Sequence, residues 1–190
     1  MQKLLLSLAL LACLPFTSGC VPMAVIGAGS IAVMTDDRRT TGMYVEDENI
    51  EWKVLGRLKD KIPGAHINSV SYNRKVLLTG EALTEDLKRQ AGEEARSVPS
   101  VLEVVNEVQV AGVSSLAARG NDSLITTNVK ARMLNNPKFS VTHIKVVTEA
   151  GTVYLLGIVS QSEGDAAAEI ARTTSGVRGV VKVFEYRMPK

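Results

Sequence analysis

The sequence predicts an α+β fold in which two copies of one α-β-β-α-β unit follow each other along the chain. Three observations lead to this prediction: an internal repeat, the same order of helix and strand patterns in each copy, and a small-residue segment between the copies. The clearest match pairs residues 76–80 (VLLTG) with residues 153–157 (VYLLG), 77 residues further on. Weaker matches at offsets of 75 to 77 pair Ile50 with Ile125, Val54 with Val129, His66 with His143, Ile67 with Ile144, Ala91 with Ala168, Val101 with Val177, and Val104 with Val180.

Each copy is predicted to open with an amphipathic helix. Apolar residues recur at helical spacing in both copies, at Ile50, Val54 and Leu58 and at Ile125, Val129 and Met133. Residues 121–123 (Asn-Asp-Ser) are N-cap candidates for the helix of the second copy. Turn-forming residues at 63–64 and at 135–137 are expected to end the two helices.

A β-hairpin, a second helix and a last strand complete each predicted unit. In the first copy, strands at 67–72 and 76–79 join through a turn at 73–75, and a helix at 84–97 leads to a strand at 101–110. In the second copy, strands are expected at 144–148 and 153–156 with a turn at 149–151 between them. A helix at 161–175 and a strand at 177–186 follow. Three strands then form a small sheet, and two helices cover one of its faces.

The predicted units are small, and this bears on how they are stabilised. A unit of about 65–70 residues is near the lower limit for an independent core, so we expect the two units to pack on one another. The segment 112–120 has the small residues of a linker. The predicted organisation is a signal peptide at 1–19, an N-terminal segment and linker at 20–46, a first domain at 47–111, a linker at 112–120 and a second domain at 121–190.

The first twenty residues have the layout of a targeting segment. Lys3 precedes an apolar run over residues 4–16, and the small residues 17–19 lead to Cys20. The run is too short to span a bilayer, which needs about 20 apolar residues. The ending resembles the lipobox of bacterial lipoproteins, which implies cleavage before Cys20 and acyl chains, such as palmitate, on that cysteine. The alternatives are an ordinary secretory signal, which leaves Cys20 a free thiol, and cleavage before Cys13.

The segment that follows the lipid cysteine is apolar over residues 21–34 and leads to Arg38 and Arg39. Two roles remain open for the apolar part: lying against the membrane beneath the anchor, or packing between the domains. Two roles also remain open for the arginines, which can contact anionic headgroups or pair with the adjacent Asp36 and Asp37.

Composition restricts the class of protein. Hydrophobic residues make up 45% of the chain and aromatic residues 4%, so the core must be largely aliphatic. After cleavage at Cys20 no other cysteine remains, which excludes an intramolecular disulfide and a thiolate metal site. Residues 47–112 carry a formal charge of −2 and residues 120–190 a charge of +3. The basic half is therefore the better candidate for an anionic partner.

Residue clusters typical of catalysis are missing from the sequence. The chain lacks the Gly-x-Ser-x-Gly, His-Glu-x-x-His and phosphate-loop motifs. The two histidines, His66 and His143, occupy equivalent places in the repeat, which favours a structural role over a catalytic or metal-binding one. We predict a protein that is not an enzyme, with no cofactor and no metal site. A modest pI of 8.5 and the lack of a basic stripe with interleaved aromatics argue against nucleic-acid binding.

The first helix of the second copy carries the sharpest functional pattern. With its core stripe turned inward, the opposite side holds Leu124, Asn128, Ala131 and Leu134, flanked by Lys130 and Arg132. Such a side is a small interfacial site, because leucines enter the acyl boundary while cations meet phosphates. The competing interpretation is that Leu124 and Leu134 pack against the first domain. The equivalent helix of the first copy, 50–61, is expected to expose Glu51, Lys53, Arg57 and Asp60, with Trp52 as an apolar exception.

The order of elements and two motifs resemble the BON domain. A glycine closes the second predicted strand of each copy, and residues 176–180 have the pattern Gly-Val-x-x-Val. Two such domains behind a lipobox resemble the family of dual BON-domain outer-membrane lipoproteins, a likeness that also covers residues 36–42 and 121–127. The resemblance implies two tandem domains, each with a three-stranded sheet covered on one face by two helices.

The resemblance also implies a function and a site. In that family the second BON domain binds anionic phospholipids such as phosphatidylglycerol and cardiolipin through its first helix. Carried over to this sequence, the contacts are Leu124, Lys130 and Leu134, with Asn128 and Ala131 beside them. Leu124 departs from the pattern, because the best-known member has an aromatic residue there and aromatic residues prefer the membrane interface more strongly.

Location and partners are further implications of the resemblance. The implied location is the periplasmic face of the outer membrane, and Val21 in place of an aspartate after the lipid cysteine is consistent with it. The implied role is support of envelope integrity, with enrichment at the division site. The implied protein partner is the outer-membrane protein assembly machinery. We expect a monomer. The alternative function is a protein-interaction scaffold, in which the exposed leucines of the second domain form a docking patch for an envelope protein.

Overall fold

The computed structural model describes residues 36–134 and 136–188. The predictions for the signal peptide, for cleavage at Cys20 or Cys13, and for the apolar segment 21–34 lie outside the described residues. Both repeat units lie within one compact unit, Val33–Lys190. In the part of the chain that is described, no helix is both long enough and apolar enough to cross a bilayer.

The first unit has the predicted order of elements with shifted bounds. Helix α1 begins earlier than expected, because the hydroxyl of Thr40 accepts a hydrogen bond from the backbone N–H of Met43 and caps it. The last strand is split where the amide of Asn106 turns the chain by accepting from the backbone N–H of Val108. The elements are α1 Thr41–Lys61, β1 His66–Tyr72, β2 Lys75–Ala82, α2 Glu85–Arg96, β3 Glu103–Asn106 and β4 Gln109–Val110.

The second unit repeats this order. It consists of α3 Leu116–Leu134, a short 3₁₀ helix Val141–His143, β5 Ile144–Glu149, β6 Thr152–Val159, α4 Gln161–Arg172 and β7 Gly179–Tyr186. A full capping box at Ser160 and Glu163 fixes the start of α4. The predicted α-β-β-α-β order is thus confirmed in both copies.

The segment predicted as a linker is partly helical. Helix α3 begins at Leu116 because the hydroxyl of Ser115 accepts a hydrogen bond from the backbone N–H of Ala118, an N-cap contact. The expectation that residues 121–123 cap this helix is therefore wrong. They lie more than a turn inside it, where Asp122 is buried.

In both sheets the second strand of the hairpin is central. Strands β1 and β2 are antiparallel and β3 runs parallel to β2; β5, β6 and β7 repeat this arrangement. The hairpins turn at Asn73-Arg74 and Ala150-Gly151, where both central residues have positive φ, as a type I′ turn requires. Gly80 and Gly157 lie within the central strands rather than closing them. At each position a Cβ would collide with the backbone carbonyl oxygen of the histidine, His66 or His143, that precedes the strand residue paired with the glycine.

The helices of each unit cover one face of its sheet and build an aliphatic core. In the first unit this core contains Ile50, Val54, Leu58, Val76 and Leu78. In the second it contains Ile125, Val129, Met133, Val153 and Leu155. The predicted helical core stripes are thus confirmed in both units.

The other faces of the two sheets pack against each other. Leu77 of β2 and Tyr154 and Leu156 of β6 alternate with the core positions of these strands. Together with Tyr72 of β1 and Val183 of β7 they form a third apolar cluster. Successive strand residues point to opposite faces of a sheet. Because one face packs against helices and the other against the second sheet, the sequences of the central strands are nearly continuous apolar runs. The expected packing of one unit on the other is therefore present, and the layers follow the order helix, sheet, sheet, helix.

Residues 36–40 tie the two units together. The guanidinium of Arg38 donates to the carbonyl of Ile158 at 2.7 Å and to both carboxylate oxygens of Glu163 at 2.8 and 2.7 Å. Arg39 pairs with Asp37 and with the buried Asp47 of α1. Both arginines therefore bind carboxylates within the protein, and Arg39 does pair with the adjacent Asp37.

Candidate membrane-binding face of the second domain

Helix α3 is held in place by a core stripe and by one buried carboxylate. Ile125, Val129 and Met133 pack into the core of the second domain. Asp122 accepts hydrogen bonds from the backbone N–H groups of Ala150 at 2.9 Å and Gly151 at 2.8 Å, in the β5–β6 turn. These contacts set the rotation of the helix and so decide which side faces solvent.

The outward side of α3 is apolar. Three leucines are exposed along it: Leu116 by 80%, Leu124 by 64% and Leu134 by 67%. Leu116 and Leu134 are five full turns apart, about 27 Å along the axis, and so lie on the same side of the helix. We call this surface the α3 face; it comprises Leu116, Leu124, Thr127, Asn128, Ala131 and Leu134, all exposed, with Lys130 at its edge.

Hydroxyl groups on this side of α3 are turned back onto the helix. The Thr127 hydroxyl donates to the carbonyl of Ser123 at 2.9 Å, and the Ser123 hydroxyl donates to the carbonyl of Arg119 at 3.1 Å. Because their donors are satisfied internally, these side chains present mainly carbon to solvent. The α3 face is therefore less polar than its sequence suggests.

Charge on α3 has one sign at the surface. The single acidic residue of the helix is Asp122, which is buried and bonded to the hairpin. Lys130 is exposed, and among the described residues it forms no ion pair. An anionic surface approaching the α3 face would therefore meet a lysine and no carboxylate of this helix.

Arg132 has a structural task that the sequence did not reveal. Its guanidinium donates to the carbonyl of Ile170 at 2.9 Å and to the hydroxyls of Thr174 at 2.6 Å and Thr173 at 3.0 Å. These acceptors lie at the C-terminal end of α4, where a cation also meets the negative end of the helix dipole. Of the two predicted flanking cations, Lys130 is the one whose charged group makes no such contact within residues 36–134 and 136–188.

The predicted site residues lie together on one helix. Leu124, Asn128, Ala131 and Leu134 are exposed on the outward side of α3, and Lys130 lies at its edge. The exposure of both leucines contradicts the alternative that they pack against the first domain. Leu116 was missed, although Ser115 before it was the available helix-start signal.

Helix α1 of the first domain presents a different surface. Trp52 is 73% exposed, as the sequence suggests, with Val45 one to two turns before it. Glu51 was expected on the outer side but lies at the domain interface, where it accepts from Lys145 at 2.7 Å. Arg57 is also engaged, with Ser97 and Glu94 of the first domain. The equivalent helices of the repeat therefore carry different exposed groups.

Comparison with known proteins bears on the family. Residues 46–112 and 121–188 each match the family model described as BON domain. The chain belongs to the BON-domain family. The two matched stretches fall on the two α-β-β-α-β units, so the resemblance inferred from the sequence is confirmed.

Three curated relatives are similar to this chain over most of their length. The chain is 44% identical over 176 residues to outer membrane lipoprotein DolP of Haemophilus influenzae, covering 90% of each protein. It is 38% identical to a 21 kDa hemolysin of Actinobacillus pleuropneumoniae, covering 79% of each. It is 29% identical to osmotically-inducible protein Y of Escherichia coli, covering 73% of this chain and 72% of that protein.

Proposed function

We propose that this BON-domain protein is a non-enzymatic outer-membrane lipoprotein whose second domain binds anionic phospholipid through the α3 face. The observation that carries the proposal is the exposure of Leu124 and Leu134 on a helix surface that has a lysine at its edge and no exposed carboxylate. The similarity to an outer membrane lipoprotein over 90% of the chain supports the location.

Apolar contact would supply part of the affinity. Fully burying one leucine side chain contributes about 1.5–3 kcal/mol, and a helix lying in the headgroup region buries only part of each side chain. Leu124 and Leu134 are ten residues apart, which is about 15 Å along the axis and about 80° around it, so both lie on the outward side and can reach a flat surface at once. Leu116 extends the same contact toward the start of the helix.

Electrostatic attraction would supply selectivity for anionic lipid. A lysine near an anionic surface contributes roughly 1 kcal/mol, so Lys130 alone gives weak binding. An acyl anchor on Cys20 would hold the domain near the bilayer and raise its local concentration, which makes a weak site effective. In this proposal the acyl anchor keeps the protein at the membrane, and the α3 face orients the second domain and selects anionic lipid.

The wider role proposed here is support of outer-membrane integrity from the periplasmic face. Enrichment at the division site and contact with the outer-membrane protein assembly machinery are extensions of the same proposal. Both rest on the resemblance to the dual BON-domain outer-membrane lipoproteins and not on the geometry of the α3 face.

The proposal is tested by sedimentation with vesicles. A chain shortened to residues 33–190, which holds both domains and no cysteine, is mixed with phosphatidylcholine vesicles with or without phosphatidylglycerol. We expect binding to the anionic vesicles only, weakened by salt. Replacing both Leu124 and Leu134 by Glu should reduce binding at least tenfold, because two carboxylates would enter the acyl boundary.

The matched control replaces Val45 and Trp52 of α1 by Glu. It adds the same two charges to two exposed apolar positions of the equivalent helix, so general repulsion from anionic vesicles is the same. This control should bind nearly as well as the unchanged chain, and circular dichroism should show both variants folded. Equal loss in the two variants, or no loss in the Leu124/Leu134 variant, would contradict the proposed site.

A further inference from the structure

Three metal-ligating side chains meet where the two domains join. His66 and Glu81 face each other across strands β1 and β2, with Nδ1 and Oε2 2.9 Å apart. Glu149 comes from the end of β5 in the second domain. One ligand atom of each residue lies within 4.8 Å of the other two. The three residues therefore form one cluster with ligands from both domains.

The carboxylates of this cluster are buried. Glu81 is 5% exposed and Glu149 is 4% exposed. The amide of Asn68 donates a hydrogen bond to Glu149 at 3.0 Å, and the backbone N–H of Ser114 donates to Glu81 at 3.3 Å. Two buried carboxylates facing each other are unfavourable unless a cation or a proton lies between them.

Positive charge within the protein only partly balances the cluster. His66 is the nearest candidate, and its ring already contacts Glu81 at 2.9 Å. Arg119 lines the same cleft, but its Nη2 donates to the carbonyl of Ser114 and its Nε has no partner among the described residues. The cluster therefore has the excess of negative charge that a bound cation would neutralise.

We propose that His66, Glu81 and Glu149 bind a divalent transition-metal ion, with Zn²⁺ as the best match, and that the ion links the two domains. An imidazole nitrogen and two carboxylate oxygens are ligands that Zn²⁺ accepts, and a fourth position is open to water from the cleft. Ligand atoms around tetrahedral Zn²⁺ lie roughly 3.4 Å apart, so the 2.9 Å contact between His66 and Glu81 must open slightly when the ion binds. The site is independent of the α3 face and of the proposed lipid binding.

The internal repeat supplies a matched control within the same chain. His143 occupies the place of His66 in the second copy, 77 residues on, but Ile158 stands where Glu81 would be. The carboxylate near His143 is that of Asp36, at 3.5 Å, and it also accepts from the hydroxyls of Ser140 and Thr142. Among the described residues, the Arg39-paired Asp37 is a second carboxylate near His143. Both aspartates come from the N-terminal segment, so the pair of buried glutamates from two domains is not repeated there.

Equilibrium dialysis of the untagged full chain, with its thiols alkylated and in detergent, tests the proposal. At pH 7.5 we expect one Zn²⁺ per chain and a higher thermal unfolding midpoint in its presence, because the ion binds the folded state. His66→Gln and Glu149→Gln should each weaken Zn²⁺ binding at least tenfold and remove the rise in midpoint. His143→Gln should keep both.

A second measurement does not depend on the variants being folded. Co²⁺ bound to the unchanged chain should shift and broaden the NMR signals of the His66 ring and leave those of the His143 ring in place. Lack of saturable Zn²⁺ binding, equal affinity in the His66→Gln and His143→Gln variants, or a Co²⁺ effect on His143 alone would each overturn the proposal.

Discussion

Single carboxylates do much of the positioning in this protein. Asp47 accepts from the backbone N–H groups of Asn73 and Arg74, both at 2.8 Å, in the β1–β2 turn. Asp122 binds the β5–β6 turn of the second domain in the same way. In both units one helical aspartate thus fixes a hairpin whose turn residues have positive φ.

Replacing Asp122 by Ala should destabilise the second domain. Two backbone N–H groups would lose a charged acceptor, and hydrogen bonds to charged groups contribute about 1.5–3 kcal/mol. We expect a loss of that size in the free energy of unfolding, measured by urea denaturation. Asp165→Ala is the control, since its carboxylate forms a surface ion pair with Lys182, and such pairs contribute little to stability. It should lower the free energy of unfolding much less than Asp122→Ala. Similar losses in the two variants would contradict the anchoring role.

The pair Arg38–Glu163 predicts a dependence of stability on pH. The hydrogen bonds from Arg38, together with that from the backbone N–H of Ser160, lower the pKa of Glu163 to about 2. A lowered pKa stabilises the fold above the ordinary glutamate value, and this contribution is lost as the pH falls toward 2. Glu149 has a raised pKa and acts in the opposite sense, losing its contribution as the pH rises.

Comparison with Glu163→Gln isolates the contribution of Glu163. We expect the unchanged chain to lose more stability than the variant between pH 6 and pH 3, because only it has this carboxylate to protonate. Urea midpoints at several pH values measure the difference. Parallel curves for the two proteins would show that the Arg38–Glu163 contact does not stabilise the folded state.

At the scale of elements, the two opening helices show how a repeat diverges in function. Helices α1 and α3 bury equivalent stripes, yet α3 exposes three leucines, whereas α1 exposes Val45 and Trp52 together with charged residues such as Lys53 and Asp60. The buried stripe is constrained by the sheet beneath it. The exposed side is not constrained in this way, so we expect the residues that make the two domains bind differently to lie on the exposed sides of α1 and α3.

Lys130→Gln should weaken the proposed binding to anionic vesicles about fivefold at low salt. This is the effect of removing one cation worth roughly 1 kcal/mol near an anionic surface. The difference should shrink at high salt because screening reduces the attraction. Lys53→Gln, an exposed lysine on α1, is the matched control and should leave binding unchanged. An equal decrease for both lysines would show that total charge, and not the α3 face, decides binding.

At the scale of the whole molecule, the two domains share a core. The cluster formed by Tyr72, Leu77, Tyr154, Leu156 and Val183 belongs to neither domain alone. Ion pairs and hydrogen bonds such as Lys145–Glu51 and Asn68–Glu149 join the same faces. We therefore expect the unchanged chain to unfold in a single transition, because separating the domains would expose this apolar surface to water.

Leu156→Ala should cost about 2–5 kcal/mol of unfolding free energy, as for other fully buried leucines. The loss should affect both domains, because Leu156 lies in the cluster between the sheets. Leu83→Ala, at a position that is 64% exposed, is the control and should change stability by no more than about 0.5 kcal/mol. Two separate transitions in the unchanged chain, detected by calorimetry, would contradict a shared core.

The sequence by itself determined the repeat, the order of elements, the core stripes and the positions of the hairpins. These follow from periodicity and turn residues, which act between neighbours in the chain. It also placed Leu124 and Leu134 on the outer side of their helix, because a helix with one buried stripe has a defined opposite side. Their contact with lipid stays a prediction.

Only the tertiary structure decided what surrounds each exposed or charged group. Arg132 donates hydrogen bonds to the C-terminal end of α4, and Glu51 binds Lys145 at the domain interface. The two histidines of the repeat contact different carboxylates. The cluster of His66, Glu81 and Glu149 joins residues up to 83 positions apart. Contacts over such separations depend on how the two sheets pack, and no local pattern encodes that geometry.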